Sequence, residues 1–213
     1  MITRFHHILW DWNGTLFDDA WLCIEIINAM LVRRRLPSLD QARYQAAFTF
    51  PVKHFYRAVG FDFDREPFEV VAAEFMAAYD IRRFECSLQP GAREVLQELD
   101  RRGIRQSILS AYEQSRLDEM VAHLGLRAFF QHRVGLDDYY SSGKVESGKR
   151  LIAELDCAPA DVVLIGDSLH DAEVADAVGI ACLLIPRGHY SRARLQSNGN
   201  TVLDSLSELL RPA

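Results

Sequence analysis

Two carboxylates stand where apolar runs give way to turns. Asp11 follows Ile8, Leu9 and Trp10 and leads into the pair Asn13–Gly14; Asp167 follows the run VVLIG, and Asp171 comes one helical turn later. A carboxylate at such a point can attack an electrophile, hold a cation, or simply tie down an Asx-turn or helix cap. A cap accounts for Asp167 or Ser168, but not for a second aspartate at i+4 or for Gly166. Like charges at that spacing repel unless something positive binds them. Hard divalent cations take carboxylate and carbonyl oxygens, and Mg²⁺ needs only one or two carboxylates beside a substrate phosphate. Ser110, with Ala111 behind it, ends the run IRQSILS, where a hydroxyl and backbone N–H groups can bind an oxyanion or cap a helix.

The 24 basic residues include only three lysines, Lys53, Lys144 and Lys149. The stretch GKVESGKR, from Gly143 to Arg150, comes close to a phosphate-binding loop but fails as one. Arg150 replaces the hydroxyl, Glu146 puts a negative charge in the cradle, and the preceding DDYYSS is not a strand. What survives is Lys144 in a loop, placed to balance anionic charge, while Lys149 belongs to the solvated side of the next helix.

Those residues need a scaffold, and the hydrophobic pattern supplies one. Strands are expected at Phe5–Trp10, Ile104–Ser110, Phe129–Val134, Asp161–Ile165, Ala181–Ile185 and Thr201–Leu203. Helices are expected at Ala92–Arg102, Glu113–His123, Glu146–Leu155 and Asp171–Val178, with a short one at Ser205–Leu210. Alternation of this kind predicts an α/β fold, a Rossmann-like parallel sheet with helices on both faces, whose ligands sit outside the carboxyl ends of the strands. From Ala20 to about Phe84 no strand pattern occurs. Helices at Trp21–Arg35, Pro51–Val59 and Pro67–Phe84 make a small all-helical unit, with Ser38 or Asp40 as a cap and Arg33–Arg35 as a surface cluster.

A chain of 213 residues suits one or two domains, with 49% apolar and 25% charged residues as in soluble globular proteins. A net charge of −6 speaks against extended contact with nucleic acid. Four scattered cysteines read as free thiols of a reducing compartment. No signal-peptide pattern and no membrane-length apolar run occurs, so the expected location is the cytoplasm.

In chain order the candidate residues run Asp11-x-Asn13-Gly14-Thr15-Leu16, Ser110, Lys144, then Gly166-Asp167-Ser168-x-x-Asp171. This resembles the four motifs of the haloacid dehalogenase superfamily, and the tail GHYSRARLQSNGNTVLDSLSEL resembles its phosphoglycolate-phosphatase-like branch. The resemblance implies a core of residues 1–17 and 86–213 and a helical cap of residues 18–85. It implies a Mg²⁺-dependent phosphohydrolase of small phosphorylated metabolites, with Asp11 as the nucleophile that becomes an aspartyl phosphate. Asp167, Asp11 and the main-chain carbonyl of Asn13 would hold the metal, and Asp171 would bind it or orient its waters. Ser110 and Ala111 with Lys144 would hold the phosphoryl oxygens. Mg²⁺ and Lys144 together would cancel the repulsion between a carboxylate and a phosphate.

One departure stands out. The family's phosphatases have Asp at position 13, as acid for the leaving group and base for water; Asn13 transfers no proton. Three readings follow: a substrate that leaves without protonation, as an acyl or aryl phosphate does; a proton from elsewhere, with His54 or His170 as candidates; or a catalytically weak binding protein. A phosphonatase-like C–P hydrolase, with Lys53 forming a Schiff base, is a further alternative, set against a solvated helix lysine. A receiver-like phosphoacceptor domain fits poorly with the large helical insert. Within that insert FTFPVKHFYR places Lys53 and His54 among aromatics that could close on an anion, although Phe48, Phe50 and Phe55 suit core packing.

Overall fold

The computed structural model describes residues 2–136, 143–197 and 199–211. The chain runs β1 (His7–Trp10), β2 (Phe17–Asp18), α1 (Ala20–Arg33), α2 (Gln41–Ala47), α3 (Val52–Ala58) and α4 (Phe68–Arg82). It continues through β3 (Ser87–Leu88), α5 (Ala92–Arg101), β4 (Arg105–Glu113), α6 (Gln114–His123) and β5 (Arg133–Leu136). Then come α7 (Lys144–Glu154), β6 (Val162–Gly166), α8 (Leu169–Val178), β7 (Ala181–Leu184) and α9 (Arg192–Gln196). Among the described residues no helix is long and apolar enough to cross a membrane.

Five strands form one parallel sheet in the order β5-β4-β1-β6-β7. Its central strands β1 and β6 are buried on both faces because helices cover both. Along β1 and β6 the side chains alternate: Leu9, Val162 and Leu164 pack with Leu151 of α7 and Val174 of α8, while Ile8, Trp10, Val163 and Ile165 join the larger cluster on the other side. The chain leaves β1 toward β4 and β5, then returns to β6 and β7. The order therefore reverses at β1, the place where open α/β sheets bind ligands.

The helical insert α1–α4 lies between β2 and β3, which pair antiparallel as a two-stranded ribbon (Phe17 with Leu88, Asp18 with Ser87) that the sequence pattern does not reveal. Other differences are local. The Phe129 region is a 3-10 turn (Arg127–Phe129), and the strand begins at Arg133. β4 runs on past Ser110 to Glu113. Thr201–Leu203 contributes only a bridge between Val202 and Leu184, and Ser205–Leu210 becomes a 3-10 helix over Leu206–Leu210. Asp40 caps α2 by accepting the Arg43 N–H. Arg34 is not a solvated surface charge, because Glu66 and Glu74 bind its guanidinium at 2.7 and 2.6 Å. The stretch DDYYSS, residues 137–142, lies outside the described residues.

Candidate active site

β1 sits between β4 and β6, with Trp10 opposite Ile108 and Ile165, so Asp11 emerges at the middle of the sheet's carboxyl edge. Its backbone N–H donates to Ile165 O at 2.9 Å. The chain then turns tightly, with the Trp12 carbonyl accepting from Thr15, Leu16 and Phe17. Gly14 adopts φ 76°, and a Cβ there would lie 2.4 Å from Asp167 Oδ2. Glycine is thus required both by the left-handed turn and by the close approach of a carboxylate.

Asp167 follows β6 directly. Ser168 caps α8 in a capping box with Asp171, whose Oδ2 accepts from Ser168 N at 3.0 Å. A cap thus accounts for one oxygen of Asp171. The other, Oδ1, accepts from Lys144 Nζ at 2.6 Å, and the same ammonium donates to Asp11 Oδ1 at 2.7 Å. Lys144 is the first residue of α7 rather than a loop residue, and it is 2% exposed. Ser110 is buried on β4, and its Oγ accepts from Tyr112 N at 3.1 Å, leaving the hydroxyl proton to donate. Asp11, Asn13, Ser110, Ala111, Lys144, Asp167 and Asp171 therefore border one cavity. Lys149 is on the outer side of α7, paired with Glu146 at 2.8 Å.

The electrostatics leave this cluster short of positive charge. Carboxylate oxygens of Asp11, Asp167 and Asp171 lie within 4.8 Å of one another, all three residues buried, with Lys144 as their cationic partner. Burial, opposed by Lys144, pushes the Asp11 carboxyl up to about 7. Burial and the charges of Asp11 and Asp171 drive Asp167 well above the usual carboxylate range. Burial also acts on Asp171, but Lys144, with help from the Ser168 hydrogen bond, outweighs it and holds that carboxyl below its ordinary value. Among the described residues Asp167 accepts from His189 N at 2.5 Å and from Thr15 Oγ1 at 3.4 Å, and forms no ion pair. A buried all-oxygen cluster with one unpaired carboxylate fits a hard divalent cation such as Mg²⁺.

Asn13 does not hang free. Its Nδ2 donates to Asp19 Oδ2 at 2.7 Å and to Tyr79 Oη at 3.0 Å, while Tyr79 Oη donates to the same Asp19 oxygen at 2.6 Å. Gly14 N donates to Asp19 Oδ1 at 3.0 Å. Asp19 and Tyr79 thus belong to the site, as does His189, whose Nδ1 pairs with Tyr44 Oη at 2.8 Å. Burial lowers the His189 imidazole from its ordinary value. The sequence reading missed all three. The acid pair Asp18–Asp19 beside the first motif was the one visible signal.

Not every expected residue reaches the cavity. Lys53 and His54 are not among its lining residues. Lys53 Nζ lies 5.7 and 5.4 Å from the ring centres of Phe63 and Phe68, and His54 is exposed. The placement of Lys53 removes the geometric basis for a Schiff-base lysine. His170 does line the cavity; its Nδ1 is 3.4 Å from Glu173, its Nε2 has no hydrogen-bond partner among the described residues, and its ring meets Phe50 at 5.2 Å.

Comparison with known proteins bears on the same segment. Over 212 residues the chain is 26% identical to a phosphoglycolate phosphatase of Pseudomonas syringae pv. syringae, covering 95% of this chain and 78% of that protein. It is 24% identical to an N-acetylmuramic acid 6-phosphate phosphatase of Pseudomonas putida, covering 87% and 85% respectively. A haloacid dehalogenase-like hydrolase, SP0104 from Streptococcus pneumoniae, shares the fold with a TM-score of 0.81 at 22% identity, covering 98% of each chain. The model of the haloacid dehalogenase-like hydrolases matches residues 8–185, which span every motif from Asp11 to Asp171. The chain belongs to the haloacid dehalogenase-like hydrolase family.

Proposed function

We propose that this protein is a Mg²⁺-dependent phosphatase that cleaves a small phosphorylated metabolite through an aspartyl phosphate on Asp11. The observation that carries this reading is the pairing of Asp11 Oδ1 with Lys144 Nζ at 2.7 Å inside a buried three-carboxylate cluster. A carboxylate can approach a phosphoryl group only where its charge and the substrate's are offset. Lys144 is placed to do part of that, and Asp11, Asp167, Asp171 and the Asn13 main-chain carbonyl are the groups that would hold the metal. Bound there, Mg²⁺ would supply the remaining positive charge and orient the phosphoryl oxygens.

The chain's own groups divide the rest of the work. Ser110 Oγ donates to a phosphoryl oxygen, and the backbone after it offers further N–H groups. Lys144 holds Asp11 in one orientation and faces the transferring group. Thr15 Oγ1, 3.4 Å from both Asp11 Oδ2 and Asp167 Oδ1, keeps those carboxylates apart and oriented. The helical insert serves as a cap that closes the cavity and keeps bulk water from the acyl phosphate. The names of the relatives, one acting on phosphoglycolate and one on a sugar-acid phosphate, support the class of substrate. A soluble cytoplasmic enzyme is the matching setting.

The test is release of inorganic phosphate from a panel of phosphate monoesters, with Mg²⁺ and with chelator, by the parent and by Asp11→Asn. Borohydride added during turnover should reduce an acyl phosphate at Asp11 to homoserine, visible by mass spectrometry. Phosphate release by Asp11→Asn at the parent's rate would refute the covalent route.

A further inference from the structure

We infer that the phosphate carried by this site is esterified to an uncharged, aromatic-sized group with an acidic hydroxyl, an aryl monoester rather than a short acid; this rests on the phosphatase reading above. The cavity that begins at Asp11 encloses about 600 Å³, a volume typical of sites for drug-sized ligands. Its far wall belongs to the helical insert. Phe68, Phe75 and Met76 stand on one stripe of α4, and Phe48, Phe50 and Phe55 come from the α2–α3 region. Phe48 stacks on His189 with ring centres 4.6 Å apart, so one side of the cavity is a pair of packed rings.

Charge on that wall argues in the same direction. Of the Lys and Arg residues lining the cavity, Lys144 is held by Asp11 and Asp171, and Arg116 is bound by Asp80 at 2.6 Å and by Glu113 at 2.6 Å. The acids Glu69 and Asp80 also border the space. A leaving group with its own carboxylate would therefore find each lysine and arginine of the wall already bound by acids, with only the imidazoles of His170 and His189 beside the rings. A two-carbon acid would also leave most of the apolar wall wet.

Asn13 is the independent second observation. Its amide is turned to Asp19 and Tyr79, and it has no proton to transfer to a departing oxygen. Asp19 accepts from Asn13, Tyr79 and Gly14, so both its oxygens are already engaged. His170 also lines the cavity, but with the residue at 13 unable to help, departure is easy for a phenol and hard for an alkyl alcohol. In the step itself an Asp11 oxygen bonds to phosphorus as the P–O bond to the aryl oxygen breaks. The aryl oxygen leaves with the electron pair and is protonated by solvent. Water then attacks the phosphorus, the P–O bond to Asp11 breaks, and phosphate and the free carboxylate result; the sum is ester plus water giving phenol plus phosphate.

The experiment compares kcat/KM for 1-naphthyl phosphate, 2-phosphoglycolate, cyclohexylmethyl phosphate and acetyl phosphate, with Mg²⁺. Naphthyl phosphate, apolar and with a good leaving group, should exceed phosphoglycolate by about 100-fold or more, a gain of the size expected for burying a ring in an apolar wall. Phe75→Ala should cost naphthyl phosphate at least about tenfold more than it costs acetyl phosphate, since only the former reaches the wall. Calorimetry on Asp11→Asn should give tighter binding of naphthyl phosphate than of phosphoglycolate, a readout that needs no turnover. A preference for phosphoglycolate in rate or in binding would overturn the inference and leave the phosphatase reading standing. Release of phosphate from none of the four would overturn both.

Discussion

Replacing Asn13 by aspartate tests how this site manages without a proton donor beside Asp11. The side chain at 13 touches Asp19 Oδ2 at 2.7 Å, so Asn13→Asp sets carboxylate against carboxylate. With charge centres about 4 Å apart and an effective dielectric of about 20, the repulsion is about 4 kcal/mol, or about three pH units. The pair then keeps one shared proton into the neutral range, as coupled carboxylates do. Residue 13 lines the cavity, so its carboxyl can pass that proton to the departing oxygen. General acid catalysis is worth roughly 10²–10⁴-fold, about 3–5 kcal/mol of barrier. A gain of about 10–100-fold is expected for an alkyl phosphate, and less than about threefold for p-nitrophenyl phosphate, whose leaving group needs little help. Asn13→Asp/Asp19→Asn restores the parent's net charge and reverses the hydrogen bond, so its gain should appear mainly at acid pH. The assay is phosphate release from both esters between pH 5 and 9 (roughly the span over which such a carboxyl titrates) at saturating Mg²⁺. An unchanged alkyl-to-aryl rate ratio in protein that still binds Mg²⁺ would refute the reasoning.

Other outcomes follow from the same geometry. Asp11→Asn should lose turnover yet melt no lower than the parent, because it removes a buried carboxyl that burial pushes up to about 7; circular dichroism and phosphate release check both halves. Lys144→Met should abolish activity and lower unfolding free energy by about 3–5 kcal/mol, since it strands Asp171 and Asp11 in a buried site; urea titration measures it. Both the Asp11 and Asp167 carboxyls are raised in the fold, so their contribution is complete below about 4 and metal-free protein should lose stability as pH rises from there through about 7, the value for Asp11. Mg²⁺ should flatten that loss in the parent but not in Asp167→Asn, as read by melting temperature against pH. His7 is held neutral by burial, with a value lowered to about 4, so its contribution is intact above about 6.5 and is lost as pH falls toward 4; His7→Gln should shallow the acid limb of the same curve.

What could be read from the sequence was whatever depends on position along one element. Asp11 and Asp167 announced themselves because an apolar run followed by a turn must present its last residue at the sheet edge. Lys144 was found by scarcity and motif order. The Asn13–Asp19–Tyr79 set was not legible, because packing of α4 against α1 brings Tyr79 to a turn 66 residues away from it in sequence. His189 reaches Asp167 only through the loop after β7. Lys53 and His54 were placed in the site by the aromatic and basic composition of FTFPVKHFYR, by the phosphonatase-like alternative for Lys53, and by the need for a proton donor for His54. The buried or partly buried stripe Val52, Phe55, Tyr56 and Val59 already turned those two residues away from the interior. The fifth strand was displaced because Phe129 and Phe130, the apolar pair that suggested it, pack into the core at a 3-10 turn while Arg133–Leu136 carries the pairing.

The short segment after β7 touches both halves of the molecule at once. A Cβ on Gly188 would lie 2.0 Å from Asp167 Oδ2, and His189 N binds that carboxylate. The same segment reaches the insert through Gln45 Nε2 to Gly188 O at 3.0 Å, through Tyr44 Oη to the His189 ring, and through Arg194 to the carbonyls of Gln45 and Phe48. For protein engineering this makes the interchangeable module discontinuous. A chimera that grafts a foreign insert over residues 20–82 inherits a mismatched socket unless residues 188–194 travel with it. Recombination breakpoints that respect chain order alone would cut through a corner where the insert is fastened to a carboxylate of the site.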